Sequence, residues 1–373
     1  MKNDSLKTEQ QNILSYNERF EIVNWGVLND YPQQILRLIQ NSTTGQECCG
    51  LYANFINGRG FKDELIKNLV VNRRNETLDT ILEKVSQDYA TFGGFALHLN
   101  YNALLQICEI HHIPYEHTRL GKMDKNGNIH DVALHWDWGK EYKRLRSFNE
   151  KDINRIHFYN PSREILSTEI AEVGDITQYK GQVLLFSNTG EKNYPMPIYT
   201  SAMKDMNTED GVAVLNNRNV NNRFMLSGIL VQILNDNGNT AEYEQKKKEF
   251  NDSLIKAQGA QNAGKILGIN VNSKEDIPTF INLQSPNYAD DYDITSKNVR
   301  HAIRQGFKIP PLLCSENVST GFDTDAMQSA FTYYNSITER ERNSLTRVFS
   351  ELFRHWKDVI NSSFEIESKK WDV

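Results

Sequence analysis

The chain lacks a basic excess, a long apolar run and a cysteine pattern, and each absence removes a class of function. Its 373 residues carry 42 Lys and Arg against 48 Asp and Glu, a formal charge of -6, which argues against a protein that grips nucleic acid by neutralising phosphates. No stretch approaches the roughly 18 consecutive apolar residues that would read as a membrane span, and the opening MKNDSLKTEQQNILSYNERF has no uninterrupted apolar core of a signal peptide. The four cysteines make no disulfide framework or CxxC metal pair: Cys48 and Cys49 adjoin, while Cys108 and Cys314 stand far apart. A reducing cytoplasm is therefore the expected place of assembly. Apolar residues are also scarce, at 39%, below the usual range of roughly 45 to 50% even when glycine is counted in and tyrosine out. The core is thin for this length. A mean hydropathy of -0.60 with 10% aromatics excludes both a membrane protein and a disordered one. The length predicts two or three folding units, elongated or oligomeric.

Helical signals open the chain. Asp30-Tyr31-Pro32 places proline near a helix start, with Ile35, Leu36, Leu38 and Ile39 following at near-helical spacing. A second helix is predicted from about Ser42 to Ile56, closed by Asn57-Gly58-Arg59-Gly60, and a third from Leu78 to Thr91, with Leu78, Leu82, Val85 and Tyr89 on one face. After Gly93-Gly94 the period changes to that of strands. FALHLNY and LLQICEIHHIP around a turn at Asn102 read as a hairpin, and Asn126-Gly127 between Met123 and Ile129 as a second. Residues 95 to 188 are expected to be mostly β, ending at Tyr194-Pro195-Met196-Pro197, where a boundary is set.

Residues 198 to 224 form a predicted helix too polar for a core, with Asp205, Glu209 and Asp210 and then Asn216, Asn217, Asn219, Asn221 and Asn222. Such a helix makes sense if like helices from neighbouring subunits stack beside it around a wet channel. Residues 225 to 284 read as a strand, helix, strand insert, and helical pattern returns from Asp291 to Phe307 before Pro310-Pro311. A last long helix is expected from Asp323 or Thr324 to Ile360, kinked at its polar TERERNS stretch or passing there between two environments, followed by a tail that adds a strand or frays.

Chemistry-bearing clusters are few. Cys108, His111, His112 and His117 have ligand types that suit zinc, yet on a strand Cys108 and His112 share one face and His111 the other, and His117 lies past Pro114, so no tetrahedral set follows. The carboxylates Asp290, Asp291 and Asp293, and Asp205, Glu209 and Asp210, are explained by acidic helix starts. GRGF at 58 to 61 and NAGK at 262 to 265 do not match a phosphate loop. Lys246, Lys247, Lys248 and Lys256 make a basic face on the insert helix. No catalytic residue, metal ligand or cofactor is assigned.

Taken in order, these parts resemble the tailed-bacteriophage portal, or head-to-tail connector, family. The resemblance rests on Asn24-Trp25 with Asn29-Asp30-Tyr31-Pro32, Asn57-Gly58-Arg59-Gly60-Phe61, Phe92-Gly93-Gly94-Phe95-Ala96, Tyr194 to Pro197, Ser227-Gly228-Ile229-Leu230, Asn262-Ala263-Gly264-Lys265 and Ile309-Pro310-Pro311-Leu312-Leu313. It implies an α+β ring subunit, usually one of twelve at a capsid vertex, through which a motor drives double-stranded DNA. Residues 1 to 197 and 323 to 361 would be the wing, 198 to 224 and 285 to 308 two stem helices, and 225 to 284 the clip. The crown would be short or absent in residues 362 to 373. The tunnel loop, 309 to 322, would offer Ile309, Pro310, Pro311, Leu312, Leu313, Asn317, Val318, Ser319, Thr320 and Gly321 to DNA. Cys314 stands where the family often has glycine. Lys246, Lys247, Lys248 and Lys256 would face clip partners. Implied partners are further copies of the chain, terminase, a tail adaptor, and a major capsid or scaffolding protein, with no membrane and a virion location. Two rivals from other classes are a non-portal ring adaptor or scaffold and a metal-dependent hydrolase.

Overall fold

A computed structural model describes residues 15–124, 128–138, 150–190, 194–222, 226–233, 244–245, 247–249, 252, 265–271, 288–314 and 324–371. The chain divides into two compact units, one made of Met1–Asn207 with Arg300–Val373 and the other of Thr208–Val299.

In the first unit, β1 (Ser15–Asn17) and β2 (Ile22–Asn24) precede α1 (Tyr31–Asn41), which has proline in its first turn as its sequence requires. The Ser42 hydroxyl accepts from the Gly45 amide and starts α2 (Thr43–Asn57). After the short α3 (Glu64–Lys67), the Thr77 hydroxyl caps α4 (Leu78–Phe92), which ends on left-handed Gly93. The predicted hairpin follows as β3 (Gly94–Tyr101) and β4 (Ile107–Ile113), antiparallel, and α4 packs on both. Then come β5 (Thr118–Leu120) and β6 (Asp131–Leu134), with an antiparallel Met123–Ile129 bridge between them; Asn126 and Gly127 lie outside the described residues.

Residues 95 to 188 are less purely β than their pattern implies. The strands β7 (Asn154–Phe158) and β8 (Gln182–Ser187) run parallel and are joined through α5 (Arg163–Val173). A parallel pair requires such a crossover. Of the residues of α5 only Leu166 is buried, so the helix carries almost no apolar stripe to announce it. The resulting sheet has eight strands in the order β1-β2-β5-β6-β7-β8-β3-β4, antiparallel apart from that one step.

A short 3-10 turn, Thr200–Ala202, leads into α6 (Met203–Asn222). In the second unit, β9 (Leu226–Ile233) and β10 (Lys265–Val271) pair in parallel, and the described residues 244–245, 247–249 and 252 between them are helical. The expected strand, helix, strand order is present. The chain then enters α7 (Tyr288–Gly306).

The last long helix is two helices, α8 (Thr324–Ile337) and α9 (Glu339–Phe353). The break is at Thr338, whose hydroxyl donates to the Tyr334 carbonyl at 3.0 Å and accepts from Arg342 at 2.6 Å. It also stops at Phe353 rather than near Ile360, because the following turn bonds to the sheet: the Ile107 amide donates to the His355 carbonyl and the Lys357 amide to the Ile107 carbonyl. The tail neither frays nor joins the main sheet. It bridges Phe61 through Ile366, with Phe364 and Ile366 buried.

The core is heavily aromatic. Trp25 stacks on Tyr194 at 4.4 Å and meets Tyr115 edge-on at 5.4 Å. The Tyr194 hydroxyl donates to the Val23 carbonyl and accepts from the Leu120 amide, reinforcing β2 and β5 where they share a single paired position. Beside it Arg119 is fully buried. Its guanidinium donates to the Asn29 side chain and carbonyl and to the Thr118 and Glu116 carbonyls, and lies over Trp25 and Trp138. Arg119→Met should cost about 3 kcal/mol, since it strands several buried acceptors. Arg119→Lys should recover little of it, because a point charge cannot reproduce the fork. Chemical denaturation of the three proteins checks both expectations.

Candidate functional site

The polar helix α6 is rooted in the first unit by its opening turns. Met203 and Met206 are buried. The Tyr31 hydroxyl reaches the Met203 sulfur at 3.7 Å, and the Met206 methyl occupies the space over Gly45 that any Cβ there would need. Just ahead of α6, a Cβ on Gly306 of α7 would come within 2.5 Å of the Ala202 Cβ. The first turn of one long helix and the last turn of the other thus approach backbone to backbone. From Asn207 to Val214 no residue of α6 is buried, and Val214 is 41% exposed. Asp205, Glu209 and Asp210 lie on this helix, half-buried. The side chains of Asp290, Asp291 and Asp293 are outside the described set.

The segment leaving α7 is held by rings. Phe307 stacks on Tyr199 at 4.5 Å, the Tyr199 hydroxyl donates to the Thr91 carbonyl, and the Tyr334 hydroxyl donates to the Phe307 carbonyl at 3.1 Å. Lys308 takes a left-handed φ of 57°, and the Ile309 amide reaches back to the Arg304 carbonyl at 3.1 Å. This is the reversal that usually selects glycine, made here by a lysine. Of the predicted DNA-facing residues, Ile309 is buried, Pro310, Leu312 and Leu313 are half-buried and Pro311 is exposed, within a 3-10 turn at Pro311–Cys314. Asn317, Val318, Ser319, Thr320 and Gly321 lie outside the described residues. Of the predicted basic face, Lys247 and Lys248 are described, Lys247 sitting 4.0 Å from Glu244, while Lys246 and Lys256 are not.

The other clusters disperse. Cys108 donates its thiol to the Asn100 carbonyl, His111 meets Glu109 at 3.2 Å, and His112 turns to Asp88 on α4 at 2.7 Å. His117 offers its carbonyl to the Trp138 indole. Among the described residues no three His, Cys, Asp or Glu side chains gather as a metal would need. Burial alone would raise the Glu109 carboxyl, but hydrogen bonds from Asn100, Arg73 and His111 overcome it and hold it down at about 2. In GRGF, Gly58 and Gly60 have positive φ, a Cβ on Gly58 would strike the Glu367 carbonyl, and the Arg59 amide bonds that carbonyl at 2.9 Å. The motif is a clasp for the tail. Of NAGK only Lys265 is described, as the first residue of β10.

Three buried arginines, Arg119, Arg304 and Arg342, escaped the sequence reading. Arg119 had an indirect signal in Asn29, whose positive φ of 54° follows from a motif already singled out. Arg342, bonded to the Phe55 and Asn335 carbonyls, had none.

No family model matches the chain, and no curated protein matches it. Solved structures do. A chain in the virion of a native gene transfer agent particle is similar over 90% of this chain and 83% of its own length, with 13% identity and a TM-score of 0.47. The neck of an empty gene transfer agent particle computed with C6 symmetry holds one at 14% identity and 0.45, covering 90% and 84%. The neck of the native particle computed with C12 symmetry holds another at 12% identity and 0.45, covering 91% and 84%.

Gly306→Val should lower stability by about 2 kcal/mol by forcing Ala202 away, whereas Gly211→Val, with nothing within 4 Å of its Cβ, should stay near neutral; thermal melts separate them. The depressed Glu109 acid gives stability that is present above its ordinary value of 4.5 and is lost as pH falls toward 2. Its exposure and solvent screening limit the effect to about 1 kcal/mol. Glu109→Gln should flatten the acid limb of the stability curve across that window.

Proposed function

We propose that the chain is the subunit of a portal ring, the head-to-tail connector at one capsid vertex of a tailed phage or phage-like particle. Double-stranded DNA would be packaged and ejected through the ring, which would dock terminase and later a tail adaptor, and meet the capsid or scaffolding protein around it. The single observation that carries the reading is the pair α6 and α7, two long polar helices whose roots touch at Ala202 and Gly306 and which bracket an inserted unit in the chain. In one copy the flank of α6 from Asn207 to Val214 has no buried residue. In a ring, the same helix of the next copy lies alongside and covers it.

In this reading the eight-stranded body with α8 and α9 is the wing, α6 and α7 are the stem, and residues 225 to 284 are the clip, where Lys246, Lys247, Lys248 and Lys256 would meet partner proteins. Residues 309 to 322 would approach the DNA, with Pro311 and Leu312 at the described end and Asn317 to Gly321 beyond it. That stretch has no Lys or Arg. A channel that must let DNA slide should not hold phosphates tightly, and twelve copies at -6 total about -72. No catalysis is assigned to the chain; the motor supplies it.

Mass photometry with negative-stain microscopy tests the reading, on the chain alone and co-expressed with its particle's scaffolding protein. The expected result is a closed ring of about a dozen copies with a bore wider than the roughly 20 Å duplex. Monomers or dimers under both conditions overturn it. A ring with a narrower bore also overturns it, in favour of a protein-binding adaptor.

A further inference from the structure

The main sheet has a gap beside β8. β7 fills the place between β6 and β8 only as far as Phe158. The Phe158 amide still bonds the His130 carbonyl, and the Tyr159 amide the Val183 carbonyl at 2.8 Å, but Pro161 follows and the chain leaves for α5. Proline has no N–H with which to continue a ladder. The β7–β8 ladder accordingly ends at the pair Phe158 and Val183, while β3 stays paired with β8 as far as Ser187. Leu184 to Ser187 therefore have one open edge. Successive residues of a strand turn their main-chain groups to opposite edges, so the Leu185 N–H and C=O and the Ser187 N–H turn the same way as the Val183 carbonyl. Among the described residues nothing pairs with them there, although Leu185 is 8% exposed. Buried main-chain groups normally have partners.

A groove of about 610 Å3 occupies this place, lined by Asn128 and Ile129 ahead of β6, by Leu184 to Ser187, and by Val348 and Glu351 of α9. Strands lie about 4.8 Å apart, so one missing strand leaves a slot about 10 Å across. The Tyr159 hydroxyl, on the same wall, is buried and has no hydrogen-bond partner. Cations outnumber acids along the rim. Arg347 and Arg354 stand exposed four residues before Glu351 and three after it, and neither makes an ion pair among the described residues. A cavity of about 290 Å3 shares Phe186 and Ser187 with the groove and adds Lys308 and Arg340 against Glu341.

We propose that this groove binds an extended, acidic peptide segment of a partner protein, which takes the place that β7 vacates and adds a strand to β8. Its main chain bonds Leu185 and Ser187, alternate apolar side chains lie against Leu184 and Val348, and its carboxylates meet Arg347 and Arg354. A helix has already spent its main-chain groups and cannot answer the open edge. The unpaired stretch is about 13 Å long at roughly 3.3 Å per residue, which makes four residues the core of the bound segment. The binding is independent of whether the chain forms a ring, so each can fail without the other.

The test is selection of a displayed library of random nonapeptides on the full-length chain, followed by anisotropy titration of the enriched peptides. These should alternate Asp or Glu with apolar residues. Arg347→Glu combined with Arg354→Glu should weaken their binding at least tenfold, Val348→Trp should abolish it by filling the groove, and Glu172→Lys on exposed α5 should leave it unchanged. N-methylation of every second peptide amide should abolish binding in one of the two alternating sets, as main-chain pairing along one edge requires. Should Val348→Trp fail to fold, the exposed charge reversals and the methylated peptides still decide the matter. An absence of enriched peptides, a basic or helical consensus, binding indifferent to the α9 charges or to methylation of both sets, or a Val348→Trp protein that changes its self-association instead would each overturn the proposal.

Discussion

The stack of Tyr199 on Phe307 is the contact on which the rest of the molecule depends. An insertion as long as the one between these residues is compatible with a folded body only if its two ends lie side by side. The two rings, both fully buried, supply that adjacency. Tyr199 is held by the Thr91 carbonyl and Phe307 by Tyr334, so the junction is tied to the end of α4 and to α8 as well. Ala202 against Gly306 extends the closeness by one layer into the helices. An aromatic pair contributes about 1 kcal/mol beyond its buried area, but its larger role here is positional.

A chain with few apolar residues compensates with polar joinery. Arg119 and Arg342 sit inside the first unit, each spreading a guanidinium over several carbonyl oxygens. The Tyr194 hydroxyl does the same where β2 and β5 barely pair. Such groups add little net stability while satisfied and cost heavily when one member is lost. The body is therefore rigid at its seams for reasons unrelated to hydrophobic area.

What the sequence made legible was local. Pro32, Ser42 and Gly93 marked helix ends because each acts on its own backbone within four residues, and the hairpin of β3 and β4 showed its alternation. The pairing of β7 with β8 was invisible, since it is decided by contacts far along the chain, and α5 buries only Leu166 and so carries no period to read. The interruption of the last helix falls at Thr338, the first residue of the polar stretch, where its hydroxyl bonds Tyr334 and Arg342, partners that the sequence did not name. At the candidate site, the polarity of α6 was plain in its asparagines, whereas the Lys308 reversal was hidden by a residue that rarely adopts that conformation.

The tail clasp has a consequence for synthesis. Glu367 bonds the 59–60 turn, and the backbone around Trp356 bonds Ile107, so residues about 250 to 300 positions apart in sequence are neighbours in the finished body. Contacts of such high order close late. The bridges to Ile107 and to Phe61 cannot form until residues 355 to 367 have left the ribosome.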